Sequence, residues 1–272
     1  MTTPLTGAPL LWQRALQQST RMGRTLWSLT SLLCILAVWY LVWRVGNFIP
    51  YALPSPIEVG ETLVEMIVSG EIFKDLGASL TRLVAGVVLG AVTGVIVGAL
   101  IGVNKHVARS VAPLLTFFNA IGGIAWIPLA ILWFGVGPAA ILFVIWNSVF
   151  FQVTFNTYNG VQQVPMVYRQ VVATMGGSRW RILREVLLPG ALPSLITGLR
   201  TGISFGWRTL IAAEMIGSLT GIGVLIISAS TFFRSDRIFA GIVVIGIVWL
   251  FMDRVLLQSL ERLTIRRWGM TT

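Results

Sequence analysis

The stretch LVAGVVLGAVTGVIVGALIG, residues 83–102, runs for twenty residues without a charge. A helix rises about 1.5 Å per residue, so this one is long enough to cross the ~30 Å hydrocarbon core of a bilayer. Its glycines, Gly86, Gly90, Gly94, Gly98 and Gly102, recur at every fourth position. They therefore line one helix face, along which another backbone can approach closely. Such a face serves either fixed packing or a sliding contact in a protein that changes shape. Both uses put this helix at the centre of a bundle.

Working outward, six segments have the length and apolarity of a span: 26–46, 77–102, 111–134, 139–159, 190–216 and 239–258. The whole chain of 272 residues is 56% hydrophobic and 11% charged, with a mean hydropathy of +0.83. Soluble domains carry about 25% charged residues, so a water-covered globule is excluded and an integral membrane protein is expected. The net charge of +10 is read as the basic bias of cytoplasmic loops rather than as a nucleic-acid surface. One cysteine, Cys34, and one histidine, His106, exclude a disulfide framework, a Cys/His zinc cluster within the chain and Cys–His catalysis. Cys34 reads as a small buried apolar residue and His106 as a solvated loop residue.

Charge also orients the chain. Arg14, Arg21 and Arg24, Lys105 and Arg109, then Arg169, Arg179, Arg181 and Arg184, and finally Arg254, Arg262, Arg266 and Arg267 fall on one side of the six spans. Glu58, Glu61, Glu65, Glu71, Asp75 and Asp236 collect on the other. This asymmetry predicts both termini in the cytoplasm. The organisation expected is a cytoplasmic tail over 1–25, a transmembrane domain over 26–258 and a second cytoplasmic tail over 259–272. Residues 55–69 mix Ile57, Leu63, Val64, Ile67 and Val68 with acids and predict a short amphipathic helix at the outer interface. Residues 218–237 predict a partly re-entrant or interfacial helix.

Two polar stripes lie within the spans. Ser194, Thr197, Thr201, Ser204 and Arg208 share one face of the fifth, and Ser148, Gln152 and Asn156 share one face of the fourth. They are either hydrogen-bonding glue between helices or the lining of a translocation path. Arg208 and Glu214 stand six residues apart, about 240° around a helix, so they form no local pair. Each needs a partner or water, because an ion in hydrocarbon costs at least about 2.5–3.5 kcal/mol. Arg208 suits either an ion pair or a passing anion, and Glu214 a pair across helices.

Between the fourth and fifth spans lies QQVPMVYRQVVATMGGSRWRILREVLLPG, residues 162–190. It is polar, basic and helix-compatible. Met166, Val167, Gln170, Val171 and Thr174 give a short helix one face, Gly176-Gly177 break it, and Ser178 caps a second helix near Arg179. From composition this is a docking helix or a solvated loop.

This segment resembles the cytoplasmic motif of bacterial ABC importer permeases, in which Glu-Ala-Ala is followed by a spaced Gly and, further on, by Leu-Pro. Gln170-Val171-Val172 stands at the Glu-Ala-Ala positions, and Gly176, Val186, Leu188 and Pro189 keep the spacing. Over about residues 50–268 the chain is similar to the nitrate, sulfonate, taurine and bicarbonate permeases. The similar stretches include Leu53-Pro54-Ser55-Pro56, Ala125-Trp126-Ile127-Pro128-Leu129, Asn156-Thr157-Tyr158-Asn159-Gly160-Val161, Gly177-Ser178-Arg179-Trp180 and Ala212-Ala213-Glu214-Met215. Ile121-Gly122-Gly123-Ile124 departs from the branches that carry Pro-Pro there.

The resemblance implies an all-α polytopic bundle of about six transmembrane helices with the type I ABC importer permease fold. A cytoplasmic coupling helix, within 162–189, would lie between spans four and five. It further implies a bacterial inner-membrane homodimer, two cytoplasmic ATPase subunits that bind ATP-Mg, and an extracytoplasmic substrate-binding protein that delivers a small anion by alternating access. The chain has no GxxxxGK[ST] loop of its own, so no cofactor is expected in it. ATPase coupling falls to Gln170, Thr174, Gly176, Gly177, Arg179, Leu188 and Pro189. The translocation path falls to Trp126, Ser148, Gln152, Thr201, Ser204, Arg208 and Glu214. A self-contained channel or secondary carrier would account for the polar stripes but leaves the inner segment without a purpose. An intramembrane enzyme lacks the nucleophile, base or metal pair that it needs.

Overall fold

The computed structural model describes residues 30–46, apart from 32, and residues 52–257. Every regular element among them is helical. The expected tails and the start of the first span lie outside the described residues. The elements are α1 (Leu33–Val45), α2 (Pro56–Val68), α3 (Glu71–Val103), α4 (Lys105–Ala125), α5 (Ile127–Phe134), α6 (Pro138–Gln163), α7 (Met166–Thr174), α8 (Arg179–Ile182), α9 (Leu188–Gly217), α10 (Ile222–Thr231) and α11 (Ser235–Phe251). Among the described residues five helices are long and apolar enough to cross a membrane: Glu71–Val103, His106–Ala125, Pro138–Gln163, Arg179–Gly217 and Ser235–Val255. The first expected span is described only in part, and Cys34 within it is exposed, not buried.

The bundle is organised around α6, which is packed between α3 and α9. The glycine face of α3 meets a ridge of β-branched residues on α6. A Cβ on Gly86 would lie 2.5 Å from Ile145 Cγ2, on Gly90 2.7 Å from Val149 Cβ, and on Gly94 2.9 Å from Val153 Cβ. One on Gly98 would lie 2.6 Å from the Thr154 carbonyl oxygen, and one on Gly102 2.8 Å from Val161 Cβ. These glycines pack directly against α6 along the whole face. A second glycine face, which the polar stripe on the same helix masked, serves α9: Gly198 abuts Asn156, while Gly202 and Gly206 abut Val149.

Three spans differ from expectation, the fifth because its helix begins at Arg179 rather than 190. The second begins at Glu71 rather than 77. The third, expected unbroken over 111–134, is two helices, because Gly122 adopts φ 69°, ψ 149° and the chain turns again at Trp126. Its first helix also starts earlier. Asn104 caps it by accepting the His106 N–H at 3.0 Å, so His106 sits in a helical first turn and not in a loop. The amphipathic helix expected at 55–69 is α2, capped by the Ser55–Glu58 box. It buries Val59, Thr62 and Met66 and leaves Ile57, Val64, Ile67 and Val68 exposed. Residues 218–237 contain α10, a ten-residue helix packed on α9, α11 and α3.

The end of the bundle that carries α2 and α10 is tied by charge. The Glu214 carboxylate, fully buried, accepts from Ser79 Oγ at 2.8 Å, Arg82 Nη1 at 2.7 Å and the Gly223 N–H at 3.2 Å. Arg82 also donates to the Thr220 carbonyl at 2.7 Å. Ser79 Oγ and Asp75 Oδ1 accept the Ile222 and Gly221 N–H groups at 3.1 and 3.0 Å. The orphan amides at the start of α10 are thereby satisfied beside negative charge, the arrangement that a helix dipole favours. At the neighbouring turn Thr62 Oγ1 donates to Asp236 at 3.0 Å.

Two stability predictions follow from this packing. Gly94→Leu overpacks the α3–α6 contact and should cost about 1–3 kcal/mol. Val92→Leu, on the exposed face of the same helix, should cost nothing measurable, and thermal unfolding of both purified variants in detergent compares them. Glu214→Gln strips Arg82 of its buried counter-charge, and breaking such a pair costs about 3–5 kcal/mol. Adding Arg82→Gln should recover part of that loss. A double-mutant cycle on the melting temperature reads the recovery, and strictly additive losses would remove the pair as the cause.

Candidate functional site

The segment that follows α6 stands clear of the bundle. No residue of α7 is buried, and Met166, Val167, Val171 and Met175 are all more than half exposed. Gln170 and Thr174 are exposed with them. The helix ends in a Schellman motif: the Gly177 N–H donates to the Val172 carbonyl at 2.9 Å and the Gly176 N–H to that of Ala173 at 3.0 Å. Gly176 takes the left-handed position at φ 76°, which costs any L side chain about 1–2 kcal/mol. Ser178 Oγ then accepts the Arg181 N–H at 3.3 Å, which caps α8 and sets Arg179 at its first turn. Arg169 Nη2 holds α7 to the end of α6 through the Val161 carbonyl at 2.6 Å.

From Arg179 to Gly217 the chain is one helix of 39 residues. It widens to a π turn over Leu183–Leu187, directly before Leu188 and Pro189. Pro189 has no N–H to close the α ladder on Glu185, and a wider turn absorbs that gap. An apolar cleft of about 700 Å³ lies between this region and α7, walled by Val164, Tyr168, Val172 and Val186 among others. Of the coupling residues expected from sequence, Gln170, Thr174, Gly176 and Arg179 are exposed, Gly177, Leu188 and Pro189 are half-buried, and none of the seven lines that cleft.

The polar residues expected in the path divide into three groups. Ser148 and Gln152 come together with residues that the sequence reading passed over. Ser148 Oγ lies 2.9 Å from Thr209 Oγ1 and bonds the Val144 carbonyl at 3.0 Å, while Gln152 Nε2 donates to Asn119 Oδ1 at 3.3 Å. They wall a small, partly open pocket of about 50 Å³, with Asn147, Gly122 and Phe205. Gly123 permits the approach, because a Cβ there would overlap Ser148 Oγ. Trp126 stands at the helix break, against Phe118 and Phe143, with its indole Nε1 buried and unbonded among the described residues.

A second group, Thr201, Ser204 and Arg208, lies on the half-open side of α9. Thr201 Oγ1 bonds back to the Thr197 carbonyl at 3.0 Å. The Arg208 guanidinium stands 5.8 Å from the centre of the Phe205 ring, exposed and without a carboxylate partner among the described residues. Glu214 forms the third group by itself. Its carboxylate is closed in by Ser79, Arg82 and the loop before α10, so it faces no cavity. The partner it needed was Arg82, a charge inside the second predicted span.

Residues 86–264 match the family described as binding-protein-dependent transport system inner membrane component. The chain is 33% identical over 242 residues to the taurine transport system permease protein TauC of Escherichia coli (strain K12), covering 87% of this chain and 88% of that one. It is 35% identical over 232 residues to the putative aliphatic sulfonates transport permease protein SsuC of the same organism, covering 85% and 88%. In fold it resembles a chain of the MetNI methionine ABC transporter in an inward-facing conformation, with a TM-score of 0.55 at 19% identity over 71% of this chain and 97% of that one. The chain belongs to the binding-protein-dependent transport system inner membrane components, as a multi-pass ABC importer permease of the nitrate, sulfonate, taurine and bicarbonate branch.

Proposed function

We propose that the chain works as a homodimer that carries a small anion, of the sulfonate, taurine, nitrate or bicarbonate kind, inward across the bacterial inner membrane. Two cytoplasmic ATPase subunits bind ATP-Mg and drive it, an extracytoplasmic binding protein delivers the anion, and both termini are cytoplasmic. The observation that carries this reading is α7. A nine-residue helix with an apolar exposed face, stopped at its C-terminal end by the Schellman bonds and tied to α6 through Arg169, is a surface built to be held by another protein. Gln170 stands where the family motif carries an acid, so seating in the ATPase falls to shape and apolar contact more than to charge.

In the alternating-access cycle, closure of the ATPases on ATP moves α7. The Gly176-Gly177 stop and the Ser178 cap pass that motion to α8, and the long helix conveys it to the polar face of α9 around Thr201, Ser204 and Arg208. Rocking of the two halves opens the path outward to the binding protein, and hydrolysis resets it inward. Arg208 supplies positive charge at the outer part of the path.

The decisive experiment is a pull-down of the tagged chain from native membranes in gentle detergent. Recovery with an ATPase and a binding protein is expected. Recovery alone, under conditions that hold a control importer together, would point to a self-contained channel or carrier. Gly176→Asp should reach the membrane at the normal level yet lose the ATPase in that pull-down and lose uptake of radiolabelled taurine; normal uptake would refute the coupling role. Arg208→Ala should keep the ATPase but lower uptake roughly tenfold, the scale of one charge-assisted hydrogen bond. Unchanged uptake would make Arg208 a packing residue.

A further inference from the structure

The α4–α6 seam that encloses Ser148, Gln152 and Asn119 continues toward the end of the bundle that carries α7. Along α6 the polar positions Ser148, Gln152, Asn159 and Gln162 follow at steps of four, seven and three, with Asn156 between them turned to Gly198 of α9, and along α4 Asn119, Thr116 and Arg109 follow at steps of three and seven. The two rows together mark out about 20 Å of seam. At its end the seam opens into a cleft of about 580 Å³, within the size range of small-ligand sites.

The cleft is lined by Arg109, Tyr158, Asn159 and Gln162 with Thr116, and no Asp or Glu stands on its wall. Its donors are largely unspent. Gln162 Nε2 is committed to the Gly102 carbonyl at 3.2 Å and Thr116 Oγ1 to that of Ala112 at 2.9 Å. The Arg109 guanidinium, the Tyr158 hydroxyl and the Asn159 amide bond no other described residue. The Tyr158 ring is half-buried against Ile101, Ala108, Leu115 and Phe151, which fixes where its hydroxyl can point. Pro113, on the same wall, cannot close the helical rung to the Arg109 carbonyl, so α4 is locally open at the mouth. A fork of guanidinium donors beside a hydroxyl and an amide, with no competing carboxylate, matches the oxygens of a small oxyanion.

We propose that this cleft is the release site of the permease, where Arg109 holds the transported oxyanion beside Tyr158 and Asn159 before it leaves toward the side of α7. The direction rests on the importer reading above; the site itself does not. A lipid phosphate has the same chemistry, and the test separates the two sources.

The full chain, purified from native membranes with whatever accompanies it, is reconstituted in bilayers of phosphatidylcholine alone and exposed to phenylglyoxal. Modification of each arginine is followed by peptide mass spectrometry, with methanesulfonate or inorganic sulfate as the probe. At a probe concentration about four times its dissociation constant, modification of Arg109 should slow roughly fivefold while that of Arg179 keeps its rate. Tyr158→Phe, which removes only the hydroxyl, should require about tenfold more probe for the same protection. An Arg109 that reacts at one rate with and without both probes overturns the proposal, and so does protection that Tyr158→Phe leaves unchanged. A second set of bilayers contains phosphatidylglycerol. If Arg109 is shielded there and no longer responds to methanesulfonate, the occupant is a lipid headgroup and the release site is refuted. Recovery of an ATPase in the preparation is scored separately, so a failed site and a failed importer reading leave different records.

Discussion

The structure depends on one contact: the near approach of the α3 and α6 backbones along five glycines. Between helices in a bilayer the hydrophobic effect supplies little, since lipid is as apolar as the partner helix. Attraction comes from dispersion, which falls off steeply with any gap. Glycines at every fourth position give α6 a groove, and the stiff, branched side chains of Ile145, Val149, Val153 and Val161 fill it with little rotamer entropy to lose. On its other flank α6 meets Gly198, Gly202 and Gly206 of α9, so Val149 is held from both sides. With two faces taken by glycine-lined neighbours, Ser148 and Gln152 are left at the edge of α9 and on the α4 side, where they meet Thr209 and Asn119. The position of the polar seam is thus a consequence of the apolar packing.

The bundle and the docking helix were legible in the sequence for local reasons. A run of about twenty apolar residues declares a span by itself, and α7 is delimited by its own Gly176-Gly177 stop and Ser178 cap. What stayed hidden is what depends on partners distant in the chain. Glu214 plainly needed a counter-charge, but Arg82 lies 132 positions away inside an otherwise uniform apolar pattern. The same holds for Asn119 and Gln152, 33 positions apart. On α9 a four-residue period of glycines interleaves with a stripe of hydroxyls at steps of three and four. Periodicity reports both faces but not which of them meets a neighbour. The break at Gly122 was invisible because an apolar helix and an apolar turn have the same hydropathy, and only the φ of 69° tells them apart.

The two ends of the bundle are held differently. At the α2–α10 end, Arg82–Glu214, Asp75, Thr62–Asp236 and Arg237–Glu71 tie α2, α3, α9, α10 and α11 together, and Glu214 at the centre is dry. At the α7 end the described ties are more exposed. Arg181–Glu185 is a solvent-facing pair of the kind worth only a few tenths of a kcal/mol, and beside it stand the exposed apolar face of α7 and the polar cleft at Arg109. One end is closed by the chain's own charges, while the other is left open.

That asymmetry bears on how motion travels. A helix of 39 residues is nearly 60 Å long at about 1.5 Å per residue, which makes it a lever only where it is stiff. Its weak place is the π turn followed by Pro189 and Pro193, where two rungs of the α ladder are missing. Beyond it the helix runs along α6 on Gly198, Gly202 and Gly206, a face without side chains to interlock, and it ends at the Glu214 node, which is fixed. Bending is therefore cheapest near Pro189, because the far end is fixed at the Glu214 node and the middle of α9 is held against α6 by glycine contacts, the one at Gly198 as close as those that hold α3.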